Sequence, residues 1–305
     1  MKNFAVGIVV KDRWALTDKT LQSIYYSDQS KKSYDLYIID NGSNKETHEK
    51  LKSKVNSGLI PVKNFISIPE QPIGVAWNLF LSVTQDYDYR LKMDNDVVLI
   101  NTLPSLQKRQ WLSPDFGSKV LNEIPQSSAT VVRGAGHASS GKRQRAPSDS
   151  RFLDRLREFS EANNTSITGL VPVNPGIPFS SMWRECVSKA WRGKPYLFGA
   201  CMLINKECFD KIGYFNEKLP RMIDIEYTQR AIDNGLNIGY HNWYHITHIG
   251  AGNTTEDKSI QKKKYAEASD ILTNKPVSKR FVSKWDKNYK KLLRRLSQHK
   301  ILNIE

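Results

Sequence analysis

The chain has 305 residues and a formal net charge of +15 at pH 7, with 39% hydrophobic and 25% charged residues. This composition is that of an ordinary globular protein, and the length suits one large α/β domain with an appendage or two modest domains. The apolar run at 4–10 is too short for a signal peptide, and no stretch approaches the ~18 apolar residues of a membrane span. We therefore expect a cytoplasmic protein, located in the host cytoplasm if a phage encodes it.

The three cysteines are an odd number, and no two are spaced as C-x-x-C. This spacing argues against a disulfide framework and against a zinc site. We expect Cys186, Cys201 and Cys208 to be small buried side chains.

The first hundred residues alternate between two kinds of apolar pattern. Apolar runs rich in β-branched residues predict buried parallel strands, and segments with helical spacing of apolar residues predict helices between them. The predicted strands cover 4–10, 34–39, 64–68 and 89–93, and the predicted helices cover 17–26, 45–55 and 74–83. This alternation predicts a mostly parallel, doubly wound sheet flanked by helices.

Acidic residues follow two of these strands. Asp40 ends the second strand, and Asp94-Asn95-Asp96 follows the fourth. In such sheets ligands bind beyond the carboxyl ends of the strands, so these side chains are expected to face one crevice. Two carboxylates two positions apart can hold one hard cation, Mg2+ or Mn2+, which also binds the phosphate oxygens of a nucleotide diphosphate.

The remainder of the chain is less regular. Residues 101–192 form a variable stretch with a basic, glycine-rich loop that contains Arg133, Lys142, Arg143 and Arg145. We expect further helices at 151–162 and 223–234 and further strands at 196–205 and 238–246. Gly235 provides a helix stop for the second of these helices.

The tail from Lys258 onward has a different composition. It contains fourteen Lys or Arg and four Asp or Glu, a net charge of 14 − 4 = +10, which leaves +15 − 10 = +5 for the other 257 residues. Its later apolar residues recur at steps of three and four, which predicts an amphipathic helix with a basic outer face. We therefore divide the chain into a catalytic domain at 1–257, with parts at 1–100, 101–192 and 193–257, and a basic helical extension at 258–305.

Several short motifs occur in a fixed order along the chain. They are Asp40-Asn41-Gly42-Ser43, Gly74-x-x-x-Asn78, Met93-Asp94-Asn95-Asp96, Gly199-Ala200-Cys201-Met202-Leu203-Ile204 and Gly213-Tyr214-Phe215-Asn216-Glu217. This ordered set resembles the family 2 inverting glycosyltransferases of the GT-A fold over roughly residues 4–250. The resemblance implies a nucleotide-sugar donor, with UDP as the expected nucleotide, and a Mn2+ or Mg2+ cofactor.

The resemblance also implies a role for individual residues. Asp94, Asp96 and His248 match the metal and diphosphate ligands, although His241 and His245 lie close to His248 in the sequence. The residues expected to bind the nucleotide sugar are Val10, Asp40, Gly74, Asn78, Asp94, Asn95, Gly199 and Ala200. Asp40 is expected to contact the nucleotide base, and Gly199 and Ala200 are expected to lie beneath the acceptor.

The catalytic base is expected at the start of the 223–234 helix. A base must take the proton of the acceptor hydroxyl as it attacks the anomeric carbon, and direct attack inverts the configuration there. The family usually has Glu-Asp at this point, whereas this chain has Ile223-Asp224-Ile225-Glu226. Asp224 is favoured as the base, and Glu226 is its competitor.

The charge of the chain suggests the acceptor. One acceptor is a hydroxymethylated pyrimidine in DNA, as in phage DNA modification, with basic residues on the phosphates and the base flipped out. On this hypothesis Arg133, Lys142, Arg143 and Arg145 bind nucleic acid. The alternative acceptor is a lipid-linked or surface glycan, with the basic amphipathic tail lying on an anionic membrane. A third hypothesis is a non-catalytic nucleic-acid-binding protein on a transferase scaffold.

Overall fold

A computed structural model of the chain describes residues 4–27, 34–99, 132–133, 152–173, 196–248, 257–274 and 279–304. Its strands are β1 Phe4–Val10, β2 Asp35–Asn41, β3 Val62–Ile68, β4 Tyr89–Asp94, β5 Val97–Leu99, β6 Val132–Arg133, β7 Ile167–Val173, β8 Cys201–Asn205, β9 Ile238–His248 and β10 Ile301–Asn303. Its helices are α1 Trp14–Ser27, α2 Lys45–Asn56, α3 Ile73–Val83, α4 Phe152–Ala162, α5 Lys206–Ile212, α6 Ile223–Asp233, α7 Lys258–Asn274 and α8 Tyr289–Gln298, with a 3-10 helix at Lys284–Asn288.

All the strands belong to one sheet, in the order β10-β3-β2-β1-β4-β8-β7-β9-β5, with β6 paired to β9. The pairs from β10 to β4 are parallel, whereas β8 is antiparallel to both of its neighbours. The structure confirms the predicted α/β class with a mostly parallel sheet and flanking helices. Because β1 to β4 run in one direction, their carboxyl ends lie at one edge of the sheet, here named the carboxyl edge.

The sheet has a core on each face. Every residue of β1 is buried, and its side chains alternate: Ala5 and Val9 pack on one face, and Phe4, Val6 and Ile8 on the other. One core also takes up helices α3 and α6, and the other takes up α1, α2 and α4. Burial on both faces explains why the first strands are continuous apolar runs rather than alternating patterns.

The predicted elements differ from the structure mainly at their ends. Helix α1 begins at Trp14, three residues before its prediction, and β4 extends to Asp94. The largest difference is at 196–205, where only Cys201–Asn205 is a strand. Cys201 and Cys208 are buried and free, as expected, and burial raises the pKa of the Cys208 thiol to about 12. Cys186 lies outside the described residues.

The end of the chain returns to the sheet. Strand β10 pairs in parallel with β3, in the register Ile301↔Phe65. The buried amide of Asn64 donates to the carbonyls of Leu296 and His299, at 3.1 and 3.0 Å, and so satisfies carbonyls at the end of α8. The extension predicted as helical therefore also supplies an edge strand and packs on the same core as α3. In the described part of the chain, no helix is long and apolar enough to cross a membrane.

Candidate functional site

Three candidate metal ligands meet at the carboxyl edge. Asp94 is the last residue of β4, and His248 is the last residue of β9. Strand β5 pairs with β9 in the register Val97↔His248, which brings His248 beside Asp96. One ligand atom from each of Asp94, Asp96 and His248 lies within 4.8 Å of the other two. His241 is buried with its ring 4.7 Å from that of Phe159, and the side chain of His245 lies outside the described part.

Each carboxylate of this cluster has a cationic partner in the protein. The ammonium of Lys92 donates to Oδ1 of Asp94 at 2.6 Å and also to the carbonyl of Gly199. Asp96 is buried, and it is 3.0 Å from Arg13 through Oδ2 and 3.0 Å from His248 through Oδ1. The cluster is therefore close to electrically neutral without any bound ion.

The pKa values in the cluster reflect these contacts. Burial raises the pKa of Asp94, and the charge of Asp96 adds to this effect while Lys92 opposes it. Burial would also raise the pKa of Asp96, but His248 and Arg13 outweigh it, and the pKa is lowered. Burial would favour the neutral imidazole of His248, yet the hydrogen bond and charge of Asp96 raise its pKa. Both pKa shifts favour the charged forms of Asp96 and His248 at their 3.0 Å contact.

The donor set fits a divalent cation. Two carboxylates and one imidazole are ligands that Mn2+ accepts, and their spacing allows one ion to reach all three. Oδ2 of Asp94 makes no hydrogen bond among those found in the described residues. A bound cation would also require His248 to release its proton and its contact with Asp96.

Asp224 is tied to this cluster through a glycine. It lies in the first turn of α6, which follows Met222 in a left-handed conformation with φ 62°. Oδ2 of Asp224 accepts the N–H of Gly199 at 2.8 Å. A Cβ at Gly199 would lie 2.8 Å from the Asp224 side chain, so only glycine allows this approach. Gly199 therefore connects Asp224, through Lys92, to Asp94.

Glu226, the competing candidate base, has a different environment. It is 4% exposed, and both of its oxygens accept from Arg230, at 2.8 and 3.0 Å. Arg230 also donates to the carbonyls of Ile212 and Tyr214. Burial raises the pKa of Glu226, and Arg230 opposes this effect. The geometry therefore gives Glu226 a structural position and leaves Asp224, which is partly exposed, as the better placed acid.

Asp40 lies at the carboxyl end of β2, but its carboxylate is used inside the protein. Oδ1 accepts the N–H of Ser43 at 3.1 Å, and Oδ2 accepts from Ser67 at 3.4 Å. Oδ2 also lies 2.6 Å from Nδ1 of His48, whose ring is 5.6 Å from that of Phe65. Because Asp40 is 1% exposed, direct contact with a nucleotide base would require these groups to move.

Three other residues expected to bind the donor have structural contacts. The amide of Asn78 is fully used: it donates to the Phe215 carbonyl and to Glu217, and it accepts the N–H of Phe215. A Cβ at Gly74 would lie 3.3 Å from the carbonyl oxygen of Asn216, so this glycine allows α3 to pack closely. The side chain of Val10 is fully buried in the core. These contacts occupy the amide of Asn78 and the side chain of Val10, and donor binding by Val10, Gly74 and Asn78 stays a prediction.

The other predicted donor residues lie at the cluster. The amide of Asn95 donates to Thr17 of α1 at 3.0 Å. The carbonyl of Ala200 accepts the N–H of Asp94 at 2.9 Å, which joins the start of β8 to the end of β4. For the predicted nucleic-acid contacts, the structure describes only the backbone of Arg133, and Lys142, Arg143 and Arg145 lie outside the described residues.

Two cations of the site were not among the predicted residues. Lys92 lies two positions before Asp94 on the same strand, so the alternation of side chains along a strand would have placed both on one face. Arg13 follows the carboxyl end of β1, where ligands bind in sheets of this kind. Asp12 and Arg13 both have left-handed backbones, with φ 57° and 59°. Such conformations are strained for residues other than glycine and concentrate at functional sites.

The fold is similar to those of two proteins of known structure. One is the mannosyltransferase PcManGT from Pyrobaculum calidifontis in complex with GDP-Man and Mn2+, with a TM-score of 0.57 and 11% identity over 97% of this chain and 69% of that chain. The other is TarS 1–349 from S. aureus in complex with UDP, with a TM-score of 0.46 and 12% identity over 88% of this chain and 71% of that chain. No family model matches the chain, and no curated protein matches it. At this identity the mannosyltransferase shows the fold alone, a mixed α/β fold with a mostly parallel central sheet.

Proposed function

We propose that this protein is a metal-dependent inverting glycosyltransferase that uses a nucleotide-sugar donor. The observation that carries the proposal is the cluster of Asp94, Asp96 and His248, which Lys92 and Gly199 connect to Asp224. The candidate metal ligands and the candidate base thus lie on one continuous set of contacts at the carboxyl edge. The fold shared with a mannosyltransferase that binds GDP-Man and Mn2+ supports it by analogy.

The proposed roles follow from the contacts. Asp224 takes the proton of the acceptor hydroxyl as that oxygen attacks the anomeric carbon and the bond to the diphosphate breaks. The backbone N–H of Gly199 holds one carboxylate oxygen and leaves the other for this proton. A divalent cation held by Asp94, Asp96 and His248 would stabilise the negative charge of the departing nucleoside diphosphate. Glu226 acts on the site only by fixing α6 through Arg230.

The residues around the nucleotide have supporting roles. The guanidinium of Arg13 has one buried nitrogen, Nη2, without a hydrogen-bond partner in the described residues. We assign this group to the phosphates of the donor, because a diphosphate supplies the acceptor oxygens it lacks. Asp40 keeps the loop after β2 in place through Ser43 and His48. UDP is the nucleotide we propose.

The acceptor that we propose is a hydroxymethylated pyrimidine of DNA. The net charge of +15 and the concentration of lysine and arginine in the last sixth of the chain favour a polyanionic acceptor. The base would have to leave the duplex stack to reach Asp224. A lipid-linked or surface glycan is the competing acceptor, and it remains an outcome of the test.

The test is one incubation of the protein with Mn2+, a panel of nucleotide sugars and hydroxymethylated duplex DNA, followed by mass analysis of the nucleosides. We expect an adduct of one sugar mass, lost in Asp94→Ala and retained in the matched control Asp210→Ala, an exposed acid of α5 paired with Lys206. Transfer to a lipid extract instead would contradict the DNA acceptor. Salt-sensitive DNA binding without turnover of any nucleotide sugar would establish a non-catalytic binding protein.

A further inference from the structure

A cleft opens at the carboxyl edge, beside the strand β3 at which the end of the chain pairs. It has a volume of about 430 Å3 and lies between the end of β3 on one side and the 3-10 helix and α8 on the other. Its lining residues are Ile68, Pro69, Gln71, Lys284, Trp285, Lys291, Leu292, Arg295 and Ile304. Five of these nine residues are apolar, and three of them, Lys284, Lys291 and Arg295, are cations.

The three cations that line the cleft have no acidic partner among the described residues. The ammonium of Lys284 donates to Oε1 of Gln71 at 2.8 Å and lies 5.0 Å from the centre of the Trp285 ring. Lys291 and Arg295 are exposed, and an Arg295 nitrogen is 3.4 Å from the carbonyl of Asn303. Within the described ranges, none of the three forms an ion pair. These cations are therefore available to an external anion.

The acidic side chains near the cleft in sequence already have partners. Glu70 pairs with Lys11, and the carboxylate of Asp286 accepts from the hydroxyl of Tyr214. The carboxylate of Glu217 accepts from Ser283 and from Asn78. Of these acids, Glu70 is paired with a cation, whereas Asp286 and Glu217 bind neutral donors; none of the three forms an ion pair with Lys291 or Arg295 in the described part of the chain.

Helix α8 extends the positive charge beyond the cleft. Residues 279–304 contain nine Lys or Arg and one acid, Asp286. On α8, Lys290, Lys291, Arg294 and Arg295 are exposed, whereas Leu292 and Leu296 are 8% exposed and pack on the core. Because the apolar face of α8 is used in the fold, it cannot be inserted into a lipid surface as an amphipathic membrane helix requires.

This arrangement opposes the stability of the helix. Lys291 and Arg295, like Lys290 and Arg294, are one turn apart, and like charges at that spacing repel. The first turn of α8 contains lysines and no acid, which is unfavourable at the positive end of the helix dipole. An anion bound along this face would relieve both effects.

We propose that the cleft and the outer face of α8 bind the sugar-phosphate backbone of nucleic acid. A concave site with cations on its walls fits a narrow chain of phosphates better than it fits a flat bilayer. Three strand spacings separate β3 from β4, or about 14 Å, which is less than the width of a duplex. The inference rests on the proposed function, since a duplex held here would extend across the same edge as the metal cluster.

The test compares two triple variants that remove equal charge. Lys291→Gln/Arg294→Gln/Arg295→Gln alters the face of α8, and Lys258→Gln/Lys262→Gln/Lys263→Gln alters exposed lysines of α7. Duplex DNA binding is measured by fluorescence anisotropy from low to moderate salt. Each phosphate contact contributes about −0.9 to the slope of log K against log salt, so we expect the α8 variant to lose about 2.7 of that slope. At ~0.1 M salt, with 1 M salt as the reference, a slope loss of about 2.7 corresponds to binding that is roughly 500-fold weaker.

The outcomes separate this inference from the proposed function. An unchanged slope in the α8 variant, or an equal loss in the α7 variant, would overturn the inference even if the protein glycosylates DNA. The same variants are also tested on vesicles of phosphatidylserine and phosphatidylcholine. If the α8 variant binds these vesicles more weakly than the wild type but binds DNA equally well, the inference is overturned in favour of a membrane. A lost slope in the α8 variant alone would support it even if no nucleotide sugar is turned over, and metal-dependent donor hydrolysis should be unchanged in both variants.

Discussion

Two charged regions at the carboxyl edge differ in how their charges are compensated. At the cluster of Asp94, Asp96 and His248, the cations Lys92 and Arg13 are each within 3.0 Å of a carboxylate, so the charges are compensated inside the protein. On the face of α8, the cations have no acidic partner among the described residues. A paired charge can be kept in a buried site, whereas an unpaired cation must stay in water or bind an anion. This difference is the basis of the two proposals, catalysis at the first region and binding of a large anion at the second.

The largest expected effect is at Asp224, whose carboxylate accepts one hydrogen bond from the described residues, the neutral backbone N–H of Gly199. Asp224→Asn keeps the size of the side chain and removes the base, so kcat for sugar transfer should fall by about 10²–10⁴-fold. Thermal unfolding should be nearly unchanged. Retention of more than about a tenth of kcat would exclude Asp224 as the base.

Glu226 lies on the same helix as Asp224, but both of its carboxylate oxygens are paired with Arg230, so it serves as the comparison. Glu226→Gln leaves the buried guanidinium of Arg230 without its charge partner, and breaking such a pair costs about 3–5 kcal/mol. We expect this loss in the free energy of unfolding by denaturant, with turnover per folded molecule close to that of the wild type. If Glu226→Gln loses turnover without losing stability, then Glu226 is the base and Asp224 is not.

Metal binding should depend on pH because His248 must be neutral to act as a ligand. The pKa of His248 is raised above its usual value of 6.5, so its proton persists to higher pH, and Mn2+ binding should strengthen as pH rises through the raised pKa. Below that pKa, the affinity for Mn2+ should rise by up to about tenfold for each pH unit. The contribution of the contact with Asp96 to stability has the opposite sign: it is full below the usual His pKa of 6.5, as long as Asp96 is ionised, and it is lost as pH rises through the raised pKa of His248.

Calorimetric titration with Mn2+ across this pH range is the measurement, with and without the His248→Gln substitution. The steeper part of the pH dependence should disappear in the variant. His299→Gln, which alters an exposed histidine after α8, serves as the control. An unchanged pH dependence in His248→Gln would remove His248 from the set of ligands.

The smallest effect concerns the unpaired cations. Lys291→Gln removes repulsion from Arg295 and Lys287 and should stabilise the protein at low salt by about 0.2–0.5 kcal/mol. Added salt should reduce this gain, because screening already weakens the repulsion in the wild type. Differential scanning calorimetry at two salt concentrations measures it. Destabilisation at low salt would mean that Lys291 has a partner within the fold.

The sequence predicted the fold and the ends of its first strands because those features are local. Runs of apolar residues marked β1 to β4, and acids directly after two of them marked the carboxyl edge. The same patterns could not show how a polar side chain is used. Asn78 and Asp40 resemble ligands in the sequence, yet contacts with Phe215, Glu217 and His48 occupy them in the structure.

What the sequence determined by itself was the class of the fold, the position of Asp94-Asn95-Asp96 at a strand end and the excess of positive charge near the end of the chain. Within the described residues, the tertiary structure decided how each acid is used, since Glu226 is paired with Arg230 whereas the carboxylate of Asp224 accepts from the N–H of Gly199. It also decided that Lys92 and Arg13 neutralise the metal cluster, and that the apolar face of α8 is buried while its cations are not. The contacts of Gly199 with Asp224 and of Arg13 with Asp96 join residues far apart in the chain, and only the packing of the elements around the sheet sets them. The pairs Glu226–Arg230 and Lys92–Asp94 are local, and their spacing is already present in the sequence.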